Sequence, residues 1–326
     1  MVSDKDIDHA VAVLRGGGLV AFPTETVYGL GADASNPQAV ARVFEAKGRP
    51  SNHPVIVHIA DAAQFANWAR EIPGAAHRLA RRYWPGPLTL ILRRAPGVSD
   101  VVTGGQDTVA LRVPSHPVAQ RLLRAFGGGI AAPSANRHGR VSATTAEHVR
   151  REFGEAVACV LDGGDADVGI ESTIIDLSGD NAALLRPGWI TAAEIEQVLA
   201  APLAAARADA PRAPGTLAAH YAPGTPLALA ESDLALELAA SLARQGRRAA
   251  VLAFSAQRPL TPGLEWIAAP RDAAGYAHAL YASLRRLDEA GCDVIIVERP
   301  PQSPEWAAIN DRLARAAAGA PAPDEI

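Results

Sequence analysis

Cysteine and long apolar runs are nearly missing from this chain of 326 residues. Its two cysteines, Cys159 and Cys292, lie too far apart for a CxxC metal motif or a disulfide framework, which favours a reducing, cytoplasmic environment. No segment reaches the roughly 18 consecutive apolar residues that a membrane span requires. The acidic start, Met1–Asp6, is not typical of a signal peptide, so we expect no association with membranes.

Excess positive charge is missing as well. The formal net charge of −4 and the isoelectric point near 6.1 argue against a protein that binds nucleic acid through a broad basic face. Lysine occurs only at Lys5 and Lys47, and arginine supplies the other 29 basic residues. Because lysine is a compact point charge and arginine a planar fork, Lys47 is a candidate for a role that arginine does not fill.

The composition is that of a globular protein, with 48% apolar and 20% charged residues, and the length suits about two domains. We predict a first domain at 1–205, a Pro- and Ala-rich linker at 206–226 and a small second domain at 227–326. Strands outnumber crossover helices in the first domain, which predicts an α/β fold around a mixed sheet. The second domain alternates as a small βαβ (Rossmann-like) unit without a Gly-rich phosphate motif.

Two helix starts stand out in the first domain. Ser35 and Pro37 predict a helix that begins with a serine cap and continues to Lys47. Thr191 and Glu194 form a capping-box pattern that opens a helix ending near residue 200.

The polar segment Phe22–Gly31 follows a predicted strand and precedes the helix that ends at Lys47. It holds hydroxyls, a carboxylate, a phenol and two glycines within ten positions. A polar turn would explain this composition. A substrate cradle at the carboxyl end of a sheet strand would also explain it, because ligands of α/β proteins usually bind there.

Two cations flank a glycine at Lys47-Gly48-Arg49, and two histidines follow at His53 and His58. The cations suit the negative end of the preceding helix, and they also suit a polyphosphate. His58 lies in an otherwise apolar strand, so it is either a core residue or part of the same site.

Arg112 lies on an alternating strand, residues 108–113, on the same face as Thr108. A covered arginine needs an anionic partner, which is either the carboxylate of a ligand or an internal Asp or Glu. Small residues and hydroxyls also gather at strand ends in Ala132–Asn136, Gly139–Ser142 and Glu171–Ile175.

The linker holds a His-Tyr pair, His220-Tyr221, which suggests that it closes over a site. The polar residues as a group include no metal-ligand cluster, no GxSxG elbow and no Cys-His pair. We therefore expect anion positioning and electrostatic stabilisation, as in phosphoryl or nucleotidyl transfer.

Eight motifs in order, PTETVYGL, KGR with HPVIVHI, TVALRVP, APSAN, GRVS, ESTII, LLRPG and HYAP, resemble the threonylcarbamoyl-AMP synthase (YrdC-like) family in its two-domain form. The resemblance implies a twisted mixed sheet with a large open cavity. It implies a nucleotidyltransferase that converts L-threonine, bicarbonate and ATP, with Mg²⁺, into threonylcarbamoyl-AMP and pyrophosphate. A separate tRNA threonylcarbamoyl transferase complex would consume the product.

The resemblance also implies the residues of the site, with no metal ligand among them. Lys47 and Arg49 would act on the phosphates. The threonine pocket would contain Thr26, His58, Arg112, Ala132 and Ser172. The ATP side would contain Arg49, His53, Thr108, Ser134, Ser142, Arg186 and Tyr221.

Two alternatives stay open at this point. An RNA-binding module of this fold should be clearly basic, whereas residues 1–205 contain 19 basic and 21 acidic residues. The other alternative is ATP-dependent transfer to another amino acid, such as serine. Only the volume of the pocket distinguishes serine from threonine, and the extra methyl group of threonine is worth about 1–3 kcal/mol.

Overall fold

The structure, a computed structural model, describes residues 2–207, 209–259 and 264–318. The chain divides into two compact units. The first comprises Met1–His138 with Ser142–Thr216, and the second comprises Gly139–Val141 with Leu217–Ile326. The division thus falls inside the predicted linker 206–226, and a short strip from the first domain's sequence is grouped with the second unit.

The first unit is built on one large sheet with helices against it. Its helices are α1 (Asp4–Arg15), α2 (Pro37–Lys47), α3 (Phe65–Trp68), α4 (Gly74–Tyr83), α5 (Asp100–Thr103), α6 (Pro117–Phe126), α7 (Ala146–Phe153) and α8 (Ala192–Leu199). Its strands are β1 (Val20–Phe22), β2 (Gly29–Asp33), β3 (Ile56–His58), β4 (Leu88–Arg93), β5 (Thr108–Arg112), β6 (Ile130–Ala131), β7 (Cys159–Val160), β8 (Thr173–Asp176) and β9 (Ala183–Arg186).

Within the described residues these strands form a nine-stranded sheet in the order β7-β1-β2-β6-β3-β5-β4-β8-β9. The pairs β1–β7, β3–β5 and β4–β8 are parallel, and the other neighbours are antiparallel. The prediction of a mixed sheet is therefore confirmed. Alternate residues of the central strands, such as Val57, Leu90 and Leu111, pack against α2, α4 and α8 in the main apolar core.

Helix α2 begins differently from the prediction. Asn36 is its cap, because the Asn36 side-chain oxygen accepts hydrogen bonds from the N–H groups of Gln38 and Ala39, each at 3.1 Å. The Ser35 hydroxyl donates to Asp33 instead, at 2.6 Å. The predicted serine cap is therefore wrong by one residue, whereas the capping box of Thr191 with Glu194 is confirmed.

Strand β2 was not predicted, because its sequence GLGAD has little β propensity. The glycines serve close packing instead. A Cβ atom at Gly31 would lie 2.7 Å from Ile130 and 2.8 Å from Phe22. Glycine is therefore required at Gly31 because the side chains of Ile130 and Phe22 occupy the space beside it. This requirement comes from the tertiary structure, so the local sequence does not show it.

Over its described residues, the second unit has a smaller sheet of four parallel strands. The strands are β10 (Leu227–Ala230), β11 (Ala249–Ala253), β12 (Glu265–Ala268) and β13 (Val294–Glu298), in the order β10-β13-β11-β12. The helices are α9 (Ser232–Arg244), α10 (Ala273–Glu289) and α11 (Ala307–Ala317). The predicted small parallel α/β unit is confirmed. Across the described residues of both units, we find no helix with the length and apolar character needed to span a bilayer.

Candidate functional site

A row of polar positions crosses one face of the large sheet. His58 pairs with Arg112 between β3 and β5, Thr89 pairs with Ile174 between β4 and β8, and Ile174 pairs with Arg186 between β8 and β9. The antiparallel pairing of β4 with β5 joins the two halves of the row. Because paired residues point to the same face of a sheet, both arginines share this face with His58.

Arg112 is held by three sets of hydrogen bonds although it is almost fully buried. One terminal nitrogen, Nη2, lies 2.7 Å from Glu25 Oε1, and Nη1 donates to the Thr26 hydroxyl at 2.8 Å. Nε donates to the carbonyl of Gly86 at 3.3 Å. The second oxygen of Glu25 accepts from the N–H of Ser115 at 2.9 Å. The internal carboxylate is thus the anionic partner, and it fixes the plane of the guanidinium.

The Thr24 side chain shapes the turn that presents Thr26. The Thr24 hydroxyl donates to the carbonyl of Val27 at 2.6 Å and lies 2.8 Å from the Thr26 hydroxyl. Such a side-chain-to-backbone bond defines a tight polar turn. The turn explains why hydroxyl residues cluster directly after β1.

His58 is buried beside Arg112 and stays neutral. Burial first, and then the positive charge of Arg112, lowers the pKa of His58 to about 3. Its Nδ1 atom has no hydrogen-bond partner among the described residues. The ring meets Phe22 edge-on, with 5.9 Å between ring centroids. A neutral imidazole has one donor and one acceptor nitrogen, so it can hydrogen-bond a polar ligand atom.

Ser172 and Arg186 form a second polar group on the same face. The Ser172 hydroxyl lies 2.7 Å from the Thr89 hydroxyl and 3.1 Å from Arg186 Nη2. Arg186 also donates to the backbone carbonyl of Ser172 at 2.9 Å and to that of Pro214 at 2.8 Å. Arg186 therefore ties the residue before β8 to the segment at 212–214.

That segment lies against the sheet within the first unit. Arg212 donates its N–H to the Gln106 side chain at 2.6 Å and its guanidinium to the carbonyl of Gly104 at 2.7 Å. Ala213 packs into a small apolar cluster with Ile56, Ile91, Ala110 and Ile174. Because Ile56 and Ala110 share the face of His58 and Arg112, the start of the predicted linker covers part of this face.

Lys47 is buried and holds a loop. Its Nζ donates to the backbone carbonyls of Ser134 and Asn136. Burial, followed by the positive charge of Arg49, lowers the pKa of Lys47 well below its usual value. The loop after β6 is therefore anchored by the one lysine on the interior side of α2.

Arg49 and two histidines lie together beyond Lys47. Arg49 donates to the carbonyl of Pro54 at 2.8 Å, and the rings of His53 and His138 meet edge-on at 5.6 Å. Burial lowers the pKa of both histidines, and that of His138 reaches about 4 because the charges of Arg49, His53 and Lys47 add to the effect. Positive charge is thus concentrated here, and an anionic ligand would relieve it.

Ser142 completes the group. Its hydroxyl donates to the carboxylate of Glu171 at 2.5 Å, and both residues are buried. Glu171 lies close enough to Lys47 to favour its charged form. Ser134, Asn136 and Glu171 therefore lie around Lys47, and Ser142 is bound to this group through Glu171.

The structure brings most of the predicted site residues into the first unit on connected elements. Tyr221 differs, because it belongs to the second unit, where it is buried and stacks on Tyr281 with 5.8 Å between ring centroids. Thr108, the first residue of β5, and Ser134, three residues after β6, are half-buried, and Ala132 directly follows β6.

Four further residues of this region were not assigned from the sequence, namely Glu25, Thr89, His138 and Glu171. The carboxylate of Glu25 was visible in the polar segment, but only the fold shows that it meets Arg112. Thr89 looked like an ordinary strand residue, and only its pairing next to β8 reveals its bond to Ser172.

The polar side chains around this face are cations, hydroxyls and imidazoles, together with the carboxylates of Glu25 and Glu171. Within residues 2–207, 209–259 and 264–318, no group of three or more His, Cys, Asp and Glu side chains is arranged to hold a metal ion. Arginine, lysine and hydroxyl donors are groups that bind anionic ligands.

The comparisons with known proteins decide the family. A family model described as Telomere recombination, which covers Sua5, YciO and YrdC proteins, matches residues 12–188. A model of the C-terminal domain of threonylcarbamoyl-AMP synthase matches residues 190–318. The chain is 42% identical to the threonylcarbamoyl-AMP synthase of Bacillus subtilis, over 97% of this chain and 94% of the relative.

This chain belongs to the threonylcarbamoyl-AMP synthase family. The synthase of Pyrococcus abyssi is 40% identical over 97% of this chain and 95% of its own length. The crystal structure of P. abyssi Sua5 complexed with L-threonine matches with a TM-score of 0.90 and 39% identity, over 97% of this chain and 95% of that one. The resemblance found in the eight motifs is thereby confirmed, and it extends over both units of this synthase-family chain.

Proposed function

We propose that this protein is a nucleotidyltransferase that forms threonylcarbamoyl-AMP and pyrophosphate from L-threonine, bicarbonate and ATP. One observation carries the proposal: one sheet face holds a buried Arg112, bound to Thr26, together with a neutral His58, and the same unit brings the charges of Lys47 and Arg49 close to each other. The likeness to a family member complexed with L-threonine supports threonine as the amino acid.

The threonine side would use residues whose positions are already fixed. Arg112 still has N–H donors beyond its bonds to Glu25, Thr26 and Gly86, and these would bind the carboxylate of threonine. His58, kept neutral by burial, would bind a polar atom of the substrate through a ring nitrogen. Ala132 and Ser172 would complete this pocket.

The ATP side would use the cations to offset the triphosphate charge. Arg49 and Arg186 would contact phosphate oxygens, and Lys47 would add a point charge beside them. The remaining ATP-side residues would be His53, Thr108, Ser134, Ser142 and Tyr221. Mg²⁺ would enter as part of the ATP substrate.

The reaction would proceed through a carbamate. The neutral amine of threonine adds to bicarbonate, and water leaves as the carbamate forms. A carbamate oxygen then attacks the α-phosphorus of ATP, a new P–O bond forms, and the bond to the β-phosphate oxygen breaks with its electron pair on pyrophosphate. Two anions must be held together for this step, so preorganised cations would provide most of the rate enhancement.

The product is a labile mixed anhydride, so exclusion of water would matter. The segment at 212–214, which covers part of the sheet face, would contribute to that exclusion. The product would pass to a separate tRNA threonylcarbamoyl transferase complex. We further propose a cytoplasmic location, which suits two cysteines that form no disulfide.

A pyrophosphate-release assay tests the proposal. Release should require ATP, L-threonine and bicarbonate together, and it should be far slower with serine, glycine or alanine. Release that ignores the amino acid, or that continues when bicarbonate is removed, contradicts the proposal. An RNA-binding module would instead show affinity for double-stranded RNA that falls steeply with salt.

A further inference from the structure

Helix α10 of the second unit carries one aromatic and two charged side chains on one face. Tyr281, Arg285 and Asp288 are spaced by four and then three residues, so they lie in one line along the helix. Each contacts a segment without regular secondary structure in the same unit, so this face of the helix is the surface on which those segments pack.

The first of these segments is the strip Gly139–Val141. Arg285 donates to the backbone carbonyl of Val141. Ala222 donates its N–H to the carbonyl of Gly139 at 2.9 Å, and Arg140 forms a parallel bridge with Ala222. The strip is therefore held from two sides.

The second segment carries the His-Tyr pair and runs beside the strip. The carboxylate of Asp288 accepts from the N–H groups of Gly224 and Thr225, each at 2.7 Å. Tyr221 stacks on Tyr281 with an angle of 25° between the ring planes, and the Arg312 guanidinium lies 5.4 Å from the Tyr221 ring centroid.

The backbone of Tyr221 shows that this packing is firm. Its φ of 62° lies in the left-handed region, which a bulky residue rarely adopts. Such a conformation persists only where its surroundings fix it. Here the conformation of Tyr221 is fixed by its stacking on Tyr281 of α10 and by its contact with Arg312 of α11.

We propose that the α10 face of Tyr281, Arg285 and Asp288 is a positioning device for the nucleotide side of the site. Val141 is followed directly by Ser142, so holding the Val141 carbonyl fixes the plane of the peptide that leads into Ser142. The inference rests on the proposed function, which places Ser142 on the ATP side. It gives the second unit a role in ATP affinity, with Arg285 and Asp288 as positioning residues.

The experiment compares full-length variants Arg285→Ala, Arg285→Lys and Asp288→Asn with the control Arg286→Ala, an exposed neighbour on α10. Affinity for a non-hydrolysable ATP analogue is measured by calorimetry, and KM is measured for ATP and for threonine. Loss of one charge-assisted bond predicts that Arg285→Ala weakens nucleotide binding by about tenfold. Arg285→Lys should recover part of this loss, because lysine can also donate to a carbonyl.

The KM for threonine should stay within about twofold of wild type, and Arg286→Ala should change neither constant. A merely structural role would instead raise both KM values together or lower the melting temperature alone. That pattern, or unchanged ATP affinity in both Arg285→Ala and Asp288→Asn, overturns the inference.

Amide hydrogen exchange separates this inference from the proposed function. Arg285→Ala should speed exchange at residues 139–143, and Asp288→Asn should speed it at Gly224 and Thr225. Unchanged exchange at both places overturns the inference even if the synthase reaction is found. Conversely, absence of pyrophosphate release in wild type refutes the proposed function, while these exchange rates and analogue binding still test the role of α10.

Discussion

Glu25 and Arg112 form a buried ion pair, with 2.7 Å between Oε1 and Nη2 and with both side chains almost fully enclosed. A buried charge that loses its partner is strongly destabilising, because no water replaces the lost interaction. This pair differs from exposed pairs such as Arg70 with Glu71, which typically contribute little.

Glu25→Gln should therefore lower the free energy of unfolding by about 3–5 kcal/mol and raise the KM for threonine. The variant keeps the shape of the side chain but leaves the charge of Arg112 uncompensated. Urea denaturation and threonine-dependent pyrophosphate release measure the two effects. Glu71→Gln is the matched control, and it should change stability by less than about 1 kcal/mol. Equal stability of the two variants would contradict the importance of the buried pair.

Lys47→Ala should lower turnover by about 10²–10³ at saturating substrates, the usual loss when one preorganised charged group is removed. It should also lower the melting temperature, because the carbonyls of Ser134 and Asn136 lose their donor. Lys47→Arg should not restore activity, since a planar guanidinium does not occupy the space of an ammonium. Lys5→Ala, which replaces the exposed lysine, is the control. Turnover near wild type in Lys47→Ala would exclude Lys47 from the site.

Because the pKa of His58 is lowered in the folded chain, we expect the free energy of unfolding to decrease in mild acid. Its pKa is about 3 in the folded chain against about 6.5 when unfolded, so the unfolded chain binds the extra proton between these values. The contribution of neutral His58 to the free energy of unfolding is complete well above pH 6.5. It falls as the pH drops below this value, and about 1.4 kcal/mol is lost at pH 5.5.

Urea denaturation between pH 7.5 and 5 measures this slope. His58→Gln should flatten the dependence on pH, whereas the control His9→Gln, at an exposed position, should leave it unchanged. If wild type and His58→Gln lose stability at the same rate between pH 6.5 and 5, His58 is not the neutral, buried group described here.

Thr89→Val should raise the KM for threonine by about fivefold with little effect on the KM for ATP. Valine matches threonine in shape, but it removes the hydroxyl that orients Ser172 Oγ at 2.7 Å. Steady-state kinetics with each substrate varied in turn provide the measurement. Thr103→Val, at another buried threonine, is the control for general effects on the fold. Identical constants in Thr89→Val and wild type would show that Ser172 needs no such support.

Local sequence signals determined much of this protein without reference to the fold. The alternation of residues 108–113 placed Thr108 and Arg112 on one face of a strand, and Thr191 with Glu194 marked the start of α8. These features depend on near neighbours, which is why periodicity and caps reveal them. The eight motifs, read in order, were sufficient for the family.

Only the tertiary structure decided which distant residues meet. The partner of Arg112 was left open between a ligand and an internal carboxylate, and the fold selects Glu25, 87 positions away in sequence. The fold also groups Gly139–Val141 with the second unit and stacks Tyr221 on Tyr281. Strand pairing and helix packing set such contacts, and their geometry depends on the whole chain at once, so no local pattern records them.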